Sequence, residues 1–501
     1  MQFVDNLAIG FSAALTLANL AYALLGCLLG TLIGVLPGIG PLAAISMLLP
    51  LTYALEPTSA LIMLAGIYYG AQYGGSTTAI LVNVPGEVSS VVTCLDGYRM
   101  ARQGRAGTAL SVAAVASLFA GCIGTLVLAI LAAPLTELAF KFGPAENFSL
   151  MVLGLVGAIV FTADSLLKAV GMVVTGLLLG LVGTDVNSGV IRFSFGLPEL
   201  ADGIGFIIVA MSFFGITEIL QNLEGNRDHK LVTDSIPSLW PTRSDVRRAV
   251  PAALRGTVLG AVLGVLPGGG AAIASFAAYA LEKKVSRHAA ELGGGAVEGV
   301  AAPEAANNAA AQTSFVPMLT LGLPSNAVMA LMIGAMMIHN IQPGPQVMTT
   351  NPTLFWGLIA SMWIGNLMLI VLNLPMVGLW VKLLTVPYRI LFPAILVFCM
   401  IGVYSINTSV VDIYLAAGFA VLGLILVKLQ FPLMPLVLGF VLGPLMEEHF
   451  RRTLVLSHGD ASVLFSRPLS LTLLLLAFAL LLAVLVPALR SKRQRAFQSQ
   501  L

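Results

Sequence analysis

GVLPGIG at residues 34–40 and GVLPGGG at residues 264–270 are nearly the same string, placed in opposite halves of a chain of 501 residues. Each string completes a ladder in which glycine recurs at every fourth position. The ladders consist of Gly26, Gly30, Gly34 and Gly38, and of Gly256, Gly260, Gly264 and Gly268. Such spacing gives a helix one face without side chains, against which another helix can pack closely. The sequence therefore predicts two related helical units.

Both ladders end in Pro-Gly-x-Gly, a sequence that interrupts a helix because proline lacks the backbone N–H and glycine resists a fixed conformation. In a bilayer, an interrupted helix must be buried in protein or must line a wet cavity. Packing alone explains the ladders but leaves these endings unexplained. We therefore expect each ending to be a helix break at mid-membrane depth, approached from opposite faces in the two copies.

The composition places the whole chain in a membrane. Hydrophobic residues make up 58% of the chain and charged residues 10%, and the mean hydropathy is +0.96. Soluble proteins carry roughly a quarter charged residues, so a soluble enzyme is excluded. A spanning helix uses ~20 residues. We predict an all-α polytopic membrane protein with about 11–12 transmembrane helices plus re-entrant or broken helices.

Charge patterns predict that the two copies are inverted. The basic blocks are Arg99 to Arg105, the basic residues within 227–255, Lys283 to Arg287, and a tail from Arg490 to Arg495. The positive-inside rule places these blocks in the cytoplasm. A polar, proline-interrupted helix follows each ladder, at about residues 58–96 and 300–340. Loops that correspond in the two copies carry basic residues in one copy and none in the other, which is typical of the inverted repeats of secondary transporters.

The repeat divides the chain into three parts. Residues 1–225 form the first repeat half, 226–255 a cytoplasmic linker, and 256–501 the second repeat half with its basic tail. Enzyme motifs such as HExxH, GxxxxGK[ST] and GxSxG are absent, and the GxGxxA match at residues 38–43 lacks a βαβ context. We therefore expect no enzyme activity, no catalytic residues, no cofactor and no nucleic-acid partner.

Three strings carry a resemblance to a known family. They are GxxxGVLPGIGPLAAISMLLPLTYALEPTSALIMLAGIYYGAQYGGSTTAILVNVPGE at 30–87, GVLPGGGAAIASFAAYALEKK at 264–284 and LTLGLPSNAVMALMIGA at 319–335. The chain resembles the TctA family, the large permease subunit of the tripartite tricarboxylate transporters, and is distantly similar to TRAP transporter large subunits. The resemblance implies uptake of tri- or dicarboxylates across the bacterial inner membrane, driven by a cation gradient. It also implies an elevator-type movement, a small TctB-like membrane subunit and a periplasmic TctC-like binding protein.

A carboxylate in mid-membrane needs hydrogen-bond donors, yet neither repeat core contains arginine or lysine. Helix N-termini at the breaks supply unpaired N–H groups and a partial positive charge. Small polar side chains near the breaks add further donors. The predicted substrate-binding residues are Gly38, Gly40, Ser76, Thr77, Thr78, Asn83, Gly86, Gly268, Gly270, Thr313, Ser314, Ser325 and Asn326. We expect alanine at Gly38 or Gly268 to block transport, because a Cβ would occupy the substrate's space.

Acidic and amide side chains beside the breaks are candidates for cation coupling, and their oxygens could hold Na⁺. These candidates are Glu87, Glu304, Asn307, Asn308 and Gln312. Two alternatives stay open. The small polar residues could simply bond across helices, and Glu87 or Glu304 could be a helix N-cap favoured by the dipole, with the first-turn position suiting Glu304, directly after Pro303. Asp96 is expected to be an exposed loop residue. A channel without alternating access and an intramembrane enzyme remain alternative functions, and the sequence does not distinguish Na⁺ from H⁺ coupling.

Overall fold

A computed structural model describes residues 2–36, 40–162, 165–185, 188–224, 238–266, 270–383 and 388–498 of the chain. About 81% of the residues are helical. Among them, seven helices are long and apolar enough to cross a membrane, and further apolar helices are shorter. The predicted fold class is confirmed: the protein is an all-α polytopic membrane protein.

The helices follow one another with short connections. In the first half of the chain they are α1 (Gln2–Ala14), α2 (Leu17–Val35), α3 (Pro41–Thr52), α4 (Pro57–Val82), α5 (Val91–Thr93), α6 (Ala106–Ala139), α7 (Pro144–Thr162), α8 (Leu166–Gly180), α9 (Phe206–Ala210) and α10 (Thr217–Glu224). Short 3₁₀ and π segments join several of them: Val88–Ser90, Cys94–Tyr98, Ala101–Arg105, Pro198–Leu200 and Met211–Ile216. A hairpin of two-residue strands, β1 (Gly183–Thr184) and β2 (Ile191–Arg192), follows α8.

The second half of the chain is built in the same way. Its helices are α11 (Arg243–Val265), α12 (Gly270–Val285), α13 (Glu298–Thr313), α14 (Phe315–Leu321), α15 (Ala327–Ile338), α16 (Gln346–Thr350), α17 (Pro352–Asn373), α18 (Val377–Leu383), α19 (Tyr388–Asn407), α20 (Val410–Lys428), α21 (Leu433–Leu456), α22 (Val463–Ser466) and α23 (Pro468–Gln498). A 3₁₀ turn at Ala289–Glu291 precedes α13. Both ladder helices start at a threonine cap: Thr16 accepts from the Asn19 N–H, and Thr242 forms a capping box with Asp245.

The chain packs as two compact units. Unit 1 comprises Met1–Glu137 and Gly205–Ile425, and it contains both glycine ladders. Unit 2 comprises Leu138–Ile204 and Leu426–Leu501. Within unit 2, α8 packs on α21 so closely that a Cβ on Gly176 would overlap the Leu436 carbonyl group.

The β-hairpin of unit 2 is tied to α21 by ion pairs. Arg192 donates to both carboxylate oxygens of Glu447, at 2.8 and 3.0 Å. Arg451 Nη1 lies 3.1 Å from Oδ2 of Asp185, the residue that directly follows β1. Two-pronged arginine–carboxylate pairing fixes orientation as well as distance, so the hairpin is held firmly on the helix.

In unit 1, the first ladder is the seam between α2 and α4. A Cβ added to each ladder glycine would overlap the backbone of one residue of α4: Met63 opposite Gly26, Ile67 opposite Gly30 and Ala71 opposite Gly34. Both series ascend together along the chain, so α2 and α4 run parallel with their backbones in direct contact. Only glycine permits this approach.

The second ladder makes the same seam between α11 and α13. The opposed pairs are Gly256 with Ala302, Gly260 with Ala306 and Gly264 with Ala310, and a Cβ on any of these glycines would overlap the backbone of α13. The structure thus confirms that the ladder glycines it describes are packing residues. Gly38 and Gly268, which end the ladders, lie outside the described residues.

Candidate functional site

Four helix interruptions lie in unit 1. Break 1 is residues 36–40, between α2 and α3; break 2 is residues 83–87, after α4; break 3 is residues 266–270, between α11 and α12; and break 4 is residues 322–326, between α14 and α15. Breaks 1 and 3 contain the two Pro-Gly-x-Gly strings, of which residues 37–39 and 267–269 lie outside the described residues. Breaks 2 and 4 contain Pro85 and Pro324, the prolines of the two polar helices.

Breaks 1 and 2 approach each other beside the central part of α4. Gly34, at the end of the ladder, lies opposite Ala71, near the middle of α4. Asn83 then ends α4 in a left-handed conformation (φ 59°), and the chain turns back until a Cβ on Gly86 would overlap Gly75. Asn83 itself is exposed, so its clearest role in this structure is to end the helix.

The N-terminus of α3, at break 1, already carries an anionic partner. The Gly40 N–H donates to Oε1 of Glu218 at 3.1 Å. Glu218 lies in the first turn of α10, far along the sequence. Pro41 occupies the first helical position, where its missing N–H costs nothing. The sequence predicts an open amide at Gly40 for a substrate anion, whereas the structure pairs this amide with a carboxylate of the chain itself.

Breaks 3 and 4 meet in the second repeat around hydrogen-bond donors. Gly270 begins α12 with φ +53°, and a Cβ built there would lie 3.5 Å from Cβ and 4.0 Å from Nδ2 of Asn326. Asn326 caps α15 by accepting from the Met329 N–H at 3.0 Å, and its Nδ2 donates to Ser314 Oγ at 3.1 Å. The Ser325 hydroxyl donates to the Ser314 carbonyl at 3.2 Å.

Glu304 is the centre of a buried polar cluster. Its side chain is in the middle of α13, which begins at Glu298, so the expectation of a first-turn position is wrong. Proline is accommodated at 303 inside this helix. The residue is only 1% exposed. Its Oε2 accepts from the Ser76 hydroxyl at 2.7 Å, and its Oε1 accepts from the Thr93 hydroxyl.

A small cavity of about 10 Å³ adjoins this carboxylate, lined in part by Tyr73, Ser76, Ser117 and Glu304. Ser117 Oγ lies 3.5 Å from Glu304 Oε2 and accepts from Asn308 Nδ2 at 2.7 Å. The volume is sufficient for about one water molecule. Side chains from the first repeat and from α13 of the second therefore surround Glu304 together.

A second contact between the repeats involves Glu87 of break 2. Asn307 Nδ2 donates to Glu87 Oε1 at 3.2 Å, and the Ser89 hydroxyl donates to the same oxygen. Asn307 is 1% exposed, and its Oδ1 has no hydrogen-bond partner among the described residues. Oδ1 of Asn308 and Nε2 of Gln312 are likewise buried without a partner there. Buried amide groups rarely remain unpaired, so these atoms are candidates for ligand contact.

Other predicted residues bond to helix carbonyls. The Thr78 hydroxyl donates to the Val35 carbonyl at 2.9 Å, which ties α4 to the end of α2. Thr77 and Thr313 donate to carbonyls of their own helices, at 3.3 and 3.1 Å. The Thr125 hydroxyl donates to Gln312 Oε1 at 3.4 Å. These are hydrogen bonds within and between helices, which is the alternative role that the sequence left open for the small polar residues.

Asp96 was expected to be exposed, and this expectation is wrong. Asp96 is 0% exposed. Its carboxylate accepts from the N–H groups of Gly293, Gly295 and Ala296 at 2.8 to 2.9 Å, and from the Tyr279 hydroxyl at 2.9 Å. The segment after the first broken helix is thereby joined to the connector before the second. This contact brings together two segments that the charge pattern places on the same side of the membrane. The orientation of the repeats in the bilayer stays a prediction.

The first two basic blocks also meet. Arg105 pairs with Asp245 at 2.6 Å, and Arg248 donates to Glu298 at 2.8 Å. Arg255 donates to Glu282, which is fully buried, at 2.6 Å. The two blocks therefore lie at one end of unit 1, as a shared membrane side demands.

Glu218, Thr93 and Ser117 were not among the site residues predicted from the sequence. Glu218 had a detectable signal, because it is an acidic residue at the end of the apolar segment Phe206–Gln221. Thr93 and Ser117 had none, because hydroxyl residues are common in membrane helices and only the fold brings these two to Glu304.

Comparison with known proteins decides the family. The family model described as "Tripartite tricarboxylate transporter TctA family" matches residues 20–438. The chain belongs to the TctA family. It is a subunit of a tricarboxylate transporter, and a tripartite family implies partner subunits.

Two relatives from Agrobacterium vitis are similar to this chain. The "Uncharacterized 52.8 kDa protein in TAR-I ttuC' 3'region" is 55% identical over 497 residues, which is 99% of each chain. The "Uncharacterized protein in TAR-II ttuC' 3'region" is 56% identical over 238 residues, covering 48% of this chain and 98% of that relative. No solved structure matches the chain.

Proposed function

We propose that this protein takes up tri- or dicarboxylates across the bacterial inner membrane, driven by a Na⁺ or H⁺ gradient, without enzyme activity. It works with a TctB-like small membrane subunit and receives substrate from a TctC-like periplasmic binding protein. The observation that carries the proposal is the meeting of two pairs of helix breaks in one unit of a TctA-family chain.

The substrate carboxylate binds at breaks 3 and 4. Gly270 starts a helix of 16 residues, and its N-terminus favours an anion. The amide of Asn326 lies beside this N-terminus and carries two N–H groups, of which one donates to Ser314 Oγ and the other can donate to a carboxylate. The hydroxyls of Ser314 and Ser325 donate to the carbonyls of Ala310 and Ser314, so they must rotate before they can do the same. Two further members of this group stay predictions: Thr313, whose hydroxyl donates to the Ala309 carbonyl, and Gly268, which lies outside the described residues.

The coupling cation uses acidic and amide oxygens. Glu304 lies at the interface of the repeats, where it is held by hydroxyl groups of Ser76 and Thr93. Glu87 and Asn307 form the neighbouring contact, with Asn308 and Gln312 nearby on α13. A carboxylate buried among membrane helices is costly unless it is paired, and a cation or proton relieves that cost.

An elevator movement suits this arrangement. The seams α2–α4 and α11–α13 give each repeat a rigid pair of helices without intervening side chains. Ser76 with Glu304, and Asp96 with Gly293, connect the two pairs to each other. A body held together in this way can carry its site across the membrane as one piece.

Reconstitution tests the proposed function. The full-length chain, with its membrane subunit and binding protein, is placed in proteoliposomes, and uptake of labelled di- and tricarboxylates is followed under Na⁺ and H⁺ gradients separately. Uphill accumulation that collapses with one of the gradients supports the proposal. Downhill flux that no gradient can concentrate would instead indicate a channel, and the absence of flux of any carboxylate would reject carboxylate transport.

A further inference from the structure

An open apolar groove lies between α6 and α11 in unit 1. Its volume is about 330 Å³, and its walls include Val115 and Phe119 of α6 and Val250 and Leu254 of α11. These four side chains are 40 to 55% exposed. Both helices are long and apolar enough to cross a membrane, so a groove of this kind on their surface opens to hydrocarbon.

The segment just before α11 borders the groove at the N-terminal end of this helix. Pro241 lines the groove, and the Ser111 hydroxyl of α6 donates to the Leu239 carbonyl, which fixes the segment against α6. Trp240, between them, is 87% exposed. Tryptophan is enriched at the membrane–water interface, where its ring lies at the level of the lipid headgroups. This end of the groove therefore corresponds to the headgroup level.

Two arginines of α11 lie at the same end of the groove. Arg243, Arg247 and Val250 follow one another at spacings of four and three residues, so they share one face of the helix. Both arginines are exposed. Val250 lines the groove, and the two guanidinium groups are therefore on the groove side of α11.

The acidic side chains near these arginines already have basic partners. Asp245 pairs with Arg105 at 2.6 Å, and Arg248 takes up Glu291 and Glu298. Within the part of the chain that the structure describes, no ion pair involves either groove-side arginine. The N-terminus of α11 carries a partial positive charge of its own, to which the arginines add. An anion is therefore the complementary partner at this end of the groove.

We propose that the groove and the two arginines together bind one anionic phospholipid. An acyl chain fills the groove, and the phosphate group lies beside Arg243 and Arg247. A protein helix suits the groove less well. Because a helix is about 10 Å across, a volume of 330 Å³ would hold only roughly 4 Å of its length, which is less than one turn. The lipid site does not depend on the proposed carboxylate transport.

Lipid binding to the full-length chain tests the proposal. Native mass spectrometry in detergent counts bound phosphatidylglycerol, which is anionic, and phosphatidylethanolamine with the same acyl chains, which has no net charge. We expect phosphatidylglycerol to bind more tightly by roughly tenfold or more, because each arginine near the headgroup attracts its charge. The double variant Arg243→Gln with Arg247→Gln should remove this difference. Val250→Phe enlarges a groove side chain and should weaken the binding of both lipids.

The matched controls are Arg287→Gln and Val262→Phe, which alter exposed residues outside the groove. Both should bind the two lipids as the unmodified protein does. Equal affinity for the two lipids in the unmodified protein, or a preference that survives in the double variant, would overturn the proposal. Unchanged lipid binding in Val250→Phe would overturn it too. So would displacement of bound phosphatidylglycerol by the TctB-like subunit, because the groove would then belong to a protein partner.

Discussion

The two repeats share one scaffold but surround their breaks with opposite chemistry. At breaks 1 and 2, the Gly40 amide faces Glu218, and Glu87 lies beside it. At breaks 3 and 4, the corresponding glycine, Gly270, faces the amide of Asn326. The first junction carries carboxyl groups, whereas the second carries a side-chain amide in their place. A duplicated architecture can therefore serve a cation at one junction and a carboxylate at the other.

The difference does not come from the ladders. Both ladders are glycine seams with the same spacing, and both press against the backbone of a polar helix. It comes from residues outside them: Glu218 is supplied by α10, whereas Asn326 belongs to break 4 itself. Substitutions in the ladders should therefore affect both junctions alike. A substitution at one junction should affect only the ligand that binds there.

The largest effect is expected from the shared seams. Leucine at Gly30 or at Gly260 would drive a side chain into the backbone at Ile67 or Ala306, so each change should lower the free energy of unfolding by at least about 3 kcal/mol. Gly418→Leu, in α20, is the matched control, because no atom lies near its added Cβ. The yield of monodisperse protein and its thermal unfolding are the measurements. Equal stability of Gly30→Leu and Gly418→Leu would show that α2 and α4 do not pack backbone against backbone at Gly30.

A second large effect is expected where the repeats are joined. Asp96→Asn replaces an acceptor oxygen with an amide donor opposite the N–H groups of Gly293 and Gly295, so several buried groups lose their partner. We expect a loss of about 3 kcal/mol in the free energy of unfolding, measured in detergent. Asp202→Asn, at an exposed aspartate, should leave the melting temperature unchanged. A comparable shift of the melting temperature in the two variants would argue that Asp96 does not hold the two repeats together.

A smaller effect is expected at Glu304. Alanine there removes the acceptor of the Ser76 and Thr93 hydroxyls, which should cost about 1–2 kcal/mol of stability, because Ser76 retains its bond to the Gln72 carbonyl. Uptake should fall far more than stability does, because the proposed coupling site is lost. Glu137→Ala, at an exposed glutamate, provides the control. Gradient-dependent uptake that survives in Glu304→Ala would remove Glu304 from the coupling mechanism.

The smallest effects compare two asparagines that the sequence treats alike. Asn326→Ala removes a helix cap and a donor at the second junction, so the KM for substrate should rise by the equivalent of about 1–2 kcal/mol. Asn83→Ala acts at an exposed helix end with positive φ, so it should lower stability slightly and leave KM nearly unchanged. Equal shifts in KM in the two variants would indicate that Asn83 also contributes to the substrate site.

Periodicity and composition were sufficient to predict the fold class, the repeated ladders and the prolines at which the polar helices break. These features depend on local spacing, which the sequence records directly. The partners of Gly40, Glu304 and Asp96 depend on contacts between distant segments, such as α10 with break 1. No local pattern encodes those contacts, which explains why Asp96 was expected at the surface. Glu218 carried a local signal as an acidic residue at the end of an apolar segment, but nothing local indicated its partner, Gly40.

The division between the two junctions is tested most directly by measuring both affinities in Glu87→Gln and Asn326→Ala. The half-saturating concentration of the coupling cation is determined without substrate, and that of labelled carboxylate at saturating cation. We expect Glu87→Gln to weaken only cation binding and Asn326→Ala to weaken only carboxylate binding. Weakened carboxylate binding with unchanged cation binding in Glu87→Gln would contradict this division, because break 2 would then belong to the substrate.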